Sequence, residues 1–104
     1  MELRQLRYFL GVCEAGSFLK ASVRLHVAQP ALGHQMSTLE EELGVRLLLR
    51  SNKGVTPTSA GKTFLEHAKL VLADVERASR VVTLAVKSAL GVPGRCSFDR
   101  RRNA

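Results

Sequence analysis

The chain has 104 residues, 45% of them hydrophobic and 24% charged, the balance of one small globular domain with a modest core. Its formal net charge of +7, much of the excess falling in residues 91–104, suits nucleic acid or an anionic membrane surface as well as plain solubility. Charges inside the N-terminal apolar stretch exclude a signal peptide, no run approaches the ~18 apolar residues of a membrane span, and Cys13 and Cys96 stand far apart with no Cys or His at metal-ligand spacing, so a reducing cytoplasm is the expected setting and no metal or cofactor is expected.

Leu3, Leu6, Phe9, Leu10 and Cys13 recur at spacings of three and four, which predicts a first amphipathic helix with Cys13 as a small core residue. Gly16 ends it, and Ser17 is placed to cap the next helix by accepting a backbone N–H bond. Phe18, Ala21, Ser22 and Leu25 form the inner face of that second helix, with the small pair Ala21 and Ser22 allowing close approach of a neighbour. His26, Val27 and Ala28 make the turn, Val27 plugging the angle between helices.

A third helix is predicted from Gln29 to Leu43. Pro30 is tolerated there because a first-turn N–H has no helical partner, and Gly44 closes the helix. Leu32, Met36, Leu39 and Leu43 form its inner stripe. Gln29, Pro30, Gly33, His34 and Ser37 form an outer face without large apolar residues, as a face aimed at solvent or a groove requires. Two short helices around a tight turn are the layout of a helix-turn-helix, in which one helix braces on the DNA backbone and the other enters the major groove. Glu40-Glu41-Glu42 is expected to be a solvated charge run.

Leu47 to Arg50 and Val55 to Pro57 flank Ser51-Asn52-Lys53-Gly54, a turn composition that predicts a short hairpin, or wing, although Leu47-Leu48-Leu49 could also extend a helix end. A long helix follows, capped by Thr58 and running to Leu90. Along it Phe64, Ala68, Val71, Val75, Ala78, Val82, Ala85 and Ala89 alternate steps of four and three, a heptad seam that predicts pairing with a second copy in either direction. Gly91 onward lacks periodicity and is expected to be a disordered basic tail, whose Arg100-Arg101-Arg102 could touch phosphates but are more simply solvated. The expected fold class is therefore mainly α. A winged helix-turn-helix of three helices and a hairpin occupies 1–57, a long dimerisation or linker helix 58–90, and the tail 91–104.

Taken in order, MELRQLRYFL, GSF, RLHVAQPAL, LEEELGVRLLLR and GVTPTSAGKTFL resemble the N-terminal part of LysR-type transcriptional regulators over residues 1–90. The resemblance implies a winged helix-turn-helix on a linker helix, a homodimer through that helix, and binding to partly palindromic double-stranded promoter DNA. Full-length members continue into an effector-sensing domain. The chain is expected to be a DNA-binding fragment, with no small-molecule effector of its own.

By the same resemblance Gln29 and Pro30 would reach base edges, glutamine pairing with adenine and proline touching a thymine methyl, with Gln35 a weaker candidate. Ser17 and its helix N-terminus would hold a phosphate, Arg50 would pair with the backbone from the wing base, and Lys53 would probe the minor groove. Gly33 and His34 stand where the family commonly has Ser-Arg. Arginine is permanently charged, whereas histidine is mostly neutral near pH 7. Gly33 costs its helix ~1 kcal/mol relative to alanine but would let DNA come close. Leu48-Leu49 replaces a usual aromatic-acidic pair, so Leu49 is expected to be exposed, and target specificity does not carry over from relatives.

Other functions fit less of the chain. A protein-interaction module could pair the long helix with a different partner or a full-length regulator. Membrane-surface binding is disfavoured by Glu66, Asp74 and Glu76 among the bases of the long helix. An enzyme is not expected, because His26, His34 and His67 have no nucleophile or acid arranged with them at a recognisable spacing.

Overall fold

The computed structural model describes residues 1–90. The tail expected at 91–104, Cys96 included, lies outside the described residues. The elements are α1 (Leu3–Ala15), α2 (Phe18–Leu25), α3 (Gln29–Leu43), β1 (Leu48–Ser51), β2 (Gly54–Pro57) and α4 (Ser59–Leu90). The chain divides into a compact unit, Met1–Leu72, and a second from Ala73 onward. The first unit thus takes in the opening turns of α4 as well as the winged helix-turn-helix.

Each boundary has a local cause. The Glu2 N–H donates to Gln5 Oε1 at 3.0 Å at the start of α1. Gly16, at φ 71°, ends that helix in the left-handed conformation that glycine adopts without penalty. Ser17 Oγ accepts from the Lys20 N–H at 3.1 Å, as a capping serine should. α3 has no side-chain cap and carries Pro30 in its first turn. Thr58 Oγ1 accepts from the Gly61 N–H at 2.9 Å and so caps α4, while the Thr58 hydroxyl donates to the Arg46 carbonyl at 2.7 Å.

The core of the first unit joins Phe9 and Val12 of α1, Phe18 and Ala21 of α2, Leu32, Met36 and Leu39 of α3, and Leu47, Leu48 and Val55 of the wing region, with Val27 packed against it. Phe64 of α4 meets Phe9 edge to face, ring centroids 5.3 Å apart. Such a pair contributes about 1 kcal/mol beyond its buried area. The wing is an antiparallel hairpin with Leu48 opposite Pro57 and Ser51 opposite Gly54. The apolar run Leu47-Leu48-Leu49 therefore begins a strand and does not extend a helix. Leu47 and Leu48 point inward, and Leu49 is 54% exposed.

Several expectations are corrected. Leu3 and Leu43 are exposed, and Val12, outside the predicted stripe of α1, is fully buried. The first two positions of the heptad seam are satisfied inside the chain: Ala68 is 1% exposed and Phe64 packs on the core. The later positions differ, since Val71 is 42% and Val82 61% exposed, Val75 is half-buried and Ala78 exposed. In the second unit α4 carries the surface ion pairs Arg77–Asp74 at 2.7 Å and Arg80–Glu76 at 3.9 Å beside exposed Val81, Leu84 and Val86.

Candidate nucleic-acid interface

Burying Leu32, Met36 and Leu39 turns the opposite side of α3 outward. Pro30, His34, Ser37 and Glu41 are exposed there, Gln29 is exposed at the helix start, and Gly33 is half-buried on the flank nearest the wing. No large apolar side chain interrupts this face.

Arg50 links three elements. From β1 its guanidinium lies over the Phe18 ring of α2, 4.3 Å from the centroid. Its Nη2 lies 3.9 Å from where a Cβ on Gly33 would stand. Stacking of this kind is worth about 0.5–1 kcal/mol at an exposed site and restricts where the charge can go. Phe18, Gln29, Pro30, Gly33, Ser37 and Arg50 line one groove. Ser17, next in sequence to Phe18, caps α2, leaving the hydroxyl proton free to donate toward an anion.

The wing tip is ordered by the Lys53 N–H donating to Ser51 Oγ at 3.2 Å, and the Lys53 side chain is exposed. Two fastenings, one between backbones and one to a side-chain carboxylate, fix the hairpin relative to the helices. The Val55 N–H donates to the Gly16 carbonyl at 2.9 Å, and Glu40 Oε2 accepts from the N–H groups of Leu47 at 2.8 Å and Leu48 at 3.0 Å.

Glu40 is therefore not part of a solvated run. Its carboxylate joins the last turn of α3 to the start of β1, while Glu42 accepts from the Met1 ammonium at 2.7 Å. Gln35 makes a contact that its spacing did not suggest. Its Oε1 accepts from Nε2 of buried Gln5 at 3.3 Å, which sets it on the flank facing α1, away from the outer face. Sequence spacing missed both, along with two glycines in contact with backbone oxygens. A Cβ on Gly54 would meet the Gly16 oxygen at 2.4 Å, and one on Gly61 would meet the Leu47 oxygen at 2.1 Å. The turn His26-Val27-Ala28 is sharper than its residues suggested: His26 holds φ 57°, its N–H directed at the Ser22 and Val23 carbonyls.

Cys13 sits on the half-buried side of α1. Burial, with the nearby Glu14 carboxylate, pushes its thiol up to about 11, against a smaller opposing pull from Lys69. It is protonated at neutral pH and a poor nucleophile. Among the described residues no three His, Cys, Asp or Glu side chains gather as a metal site would require, and no helix is long and apolar enough to cross a membrane.

Comparison with known proteins gives this arrangement a lineage. Residues 3–62 match the family described as bacterial regulatory helix-turn-helix protein, lysR family. The chain is 45% identical over 91 residues to the HTH-type transcriptional regulator TfdT of Cupriavidus pinatubonensis, covering 88% of this chain and 40% of that protein. It is 46% identical over 82 residues to the nitrogen assimilation regulatory protein nac of Escherichia coli, covering 79% of this chain and 27% of the relative. It thus spans well under half the length of these curated relatives.

Among solved structures, a CbnR_DBD-DNA complex superposes with a TM-score of 0.79 at 46% identity, covering 83% of this chain and 99% of that one. A BenM_DBD/catB site 1 DNA complex superposes with a TM-score of 0.80 at 42% identity, covering 83% and 97%. The three helices, the antiparallel hairpin and the long helix that follows match these winged helix-turn-helix structures, and the chain belongs to the LysR family of bacterial regulatory helix-turn-helix proteins.

Proposed function

We propose that the chain binds double-stranded DNA sequence-specifically as a homodimer, as the DNA-binding part of a LysR-type transcriptional regulator in the bacterial cytoplasm, and performs no catalysis. The observation that carries this reading is the outward face of α3, bare of large apolar groups and bordered by the stacked Arg50. In this reading α3 lies in the major groove, with Gln29 and Pro30 at base edges and Gly33 allowing close approach. Ser17 and Arg50 hold phosphates, and Lys53 reaches the minor groove from the wing tip. The solved relatives in complex with DNA, at over 40% identity, support the assignment.

The exposed aliphatic side chains of α4 that follow Ala68, Val71 and Val82 among them, are the surface proposed to pair two copies. Phe64 and Ala68 support α4 from within the chain and take no direct part. The test is selection from a random duplex library, with the bound DNA sequenced at two salt concentrations. A two-fold-related motif that persists at the higher salt is expected. Binding without an enriched motif, lost steeply with salt, would reduce the function to phosphate attraction.

A further inference from the structure

Arg50 is a strand residue whose charge is stationed against two helices. Its guanidinium lies over the Phe18 ring of α2, 4.3 Å from the centroid, and Nη2 lies 3.9 Å from where a Cβ on Gly33 of α3 would stand. No carboxylate holds it there. The ion pairs among the described residues engage Arg4, Arg46, Arg77, Arg80 and the Met1 ammonium, and Arg50 is in none of them. The arginines that donate side-chain hydrogen bonds are Arg4 and Arg77. The Arg50 side chain is exposed, and without a restraint its long stem would sample many rotamers. The ring beneath it is held firmly: Phe18 is 8% exposed and belongs to the core with Phe9, Ala21 and Leu32.

We infer that Phe18 is a positioning residue for DNA binding, its buried ring holding the Arg50 guanidinium in the groove between α2, the start of α3 and β1 with its charge uncancelled and its N–H donors unused; this rests on the proposal that Arg50 holds a phosphate. A carboxylate would also fix the guanidinium, but it would neutralise the charge and occupy the donors that a phosphate needs. An aromatic face attracts the cation through its quadrupole and leaves the edge of the guanidinium plane free. A planar guanidinium can lie on a ring and still turn edge donors to an anion, which the compact, strongly hydrated ammonium of a lysine does not do. Rotamer freedom that binding would otherwise remove is already lost on folding, so less opposes the contact. Phe18 opens α2, and the groove it lines with Arg50 includes Gln29 and Pro30. The charge of a wing residue is thereby kept in register with the helix proposed to read bases.

The experiment is a double-mutant cycle read by fluorescence anisotropy on a labelled duplex carrying the enriched motif, at fixed salt concentration. Phe18→Leu keeps a large apolar side chain and removes the aromatic face. Affinity should fall about two- to fivefold per protomer, the worth of such a stack at an exposed site expressed as a ratio. In an Arg50→Ala background the same substitution should change affinity little, whereas in a Lys53→Ala background it should keep its full effect. Pentafluorophenylalanine at position 18 preserves the shape of the ring and reverses its charge distribution, so it should reproduce the loss. Phe18→Tyr, which keeps the aromatic face, should retain most of the affinity. Where thermal melting shows that Phe18→Leu does not fold, the fluorinated ring carries the cycle. Equal losses with and without Arg50 overturn the inference and reduce Phe18 to a core residue. Wild-type affinity with the fluorinated ring overturns it too, as does Arg50→Ala with no effect on motif binding. Each of these leaves DNA recognition standing. Absence of motif binding by the wild-type chain overturns both.

Discussion

The Val55 N–H donates a 2.9 Å hydrogen bond to the Gly16 carbonyl, fastening the second strand of the wing to the turn between α1 and α2. The approach is close enough that position 54 has no room for a side chain, and Gly54 itself sits at φ 121°. The second strand is therefore held by backbone close to the turn, and the tip at Asn52 and Lys53 lies just beyond that fastening.

Gly54→Ala should accordingly be among the most damaging small substitutions in the chain. Its Cβ would meet the Gly16 oxygen at 2.4 Å, and its backbone would be strained in any case. A loss of about 3 kcal/mol is expected from strain and overpacking together, read as a shift of the urea midpoint at unchanged m-value.

Gly33→Ala should move the other way. The nearest atom to the added methyl is Arg50 Nη2 at 3.9 Å, ordinary contact with the end of a flexible side chain. Replacing glycine inside a helix then stabilises by about 1 kcal/mol, visible as a raised Tm. An unchanged or lowered Tm would mean that the methyl displaces Arg50 from Phe18.

Glu40→Ala leaves the Leu47 and Leu48 N–H groups without their charged acceptor and should cost about 2–3 kcal/mol. Glu40→Gln keeps an oxygen in place and should cost about half as much. Hydrogen exchange of the Leu47 and Leu48 amides should accelerate in both variants, more in the alanine.

Gln29→Ala and Lys53→Ala separate base reading from backbone attraction. The first should change which duplexes are preferred, by about 1–3 kcal/mol at the affected base pair. The second should weaken all duplexes alike and lower the salt slope by about 1 per protomer. Equal losses on every sequence for Gln29→Ala would remove that residue from base reading.

Alkaline stability should carry the signature of Cys13. Its thiol ionises at 9.0 when unperturbed and at about 11 in the fold, where burial, then Glu14, oppose the thiolate. Because the folded value is raised, the contribution is fully present below pH 9.0 and is lost as the pH rises through about 11, the unfolded chain releasing a proton that the native chain retains. The gap in Tm between wild type and Cys13→Ala should narrow across that window, measured by differential scanning calorimetry.

The parts of the fold that depend on local chemistry were legible in the sequence. Pro30 and Gly44 bracket α3, Ser17 and Thr58 cap the helices they precede, and the turn around Asn52 and Lys53 predicts the hairpin. The parts that depend on which neighbour an element meets were not. A heptad pattern records that a stripe is apolar, and Phe64 and Ala68 satisfy it on Phe9 and the core as well as a second helix would. Three successive glutamates look alike until α3 is set against the wing, when Glu40 alone faces the Leu47 and Leu48 amides. Gln35 shares its period with outer-face residues nearby and its amide is engaged by Gln5, a buried polar residue that an apolar pattern passes over. The outer face itself was legible because it is defined by the absence of large apolar side chains, a property the sequence carries without knowledge of the partner.

Leu47 uses both of its backbone groups to join elements that do not otherwise share a hydrogen bond. Its N–H is received by Glu40 at the end of α3, and its carbonyl receives the Thr58 N–H at 2.9 Å beside Gly61, at the threshold of α4. Beside the packing of Phe64 on the core, this residue's backbone therefore ties the opening turn of α4 to the closing turn of α3. A single amino acid thus serves as a shared joint between the helix that would read DNA and the first turn of the helix that follows the wing.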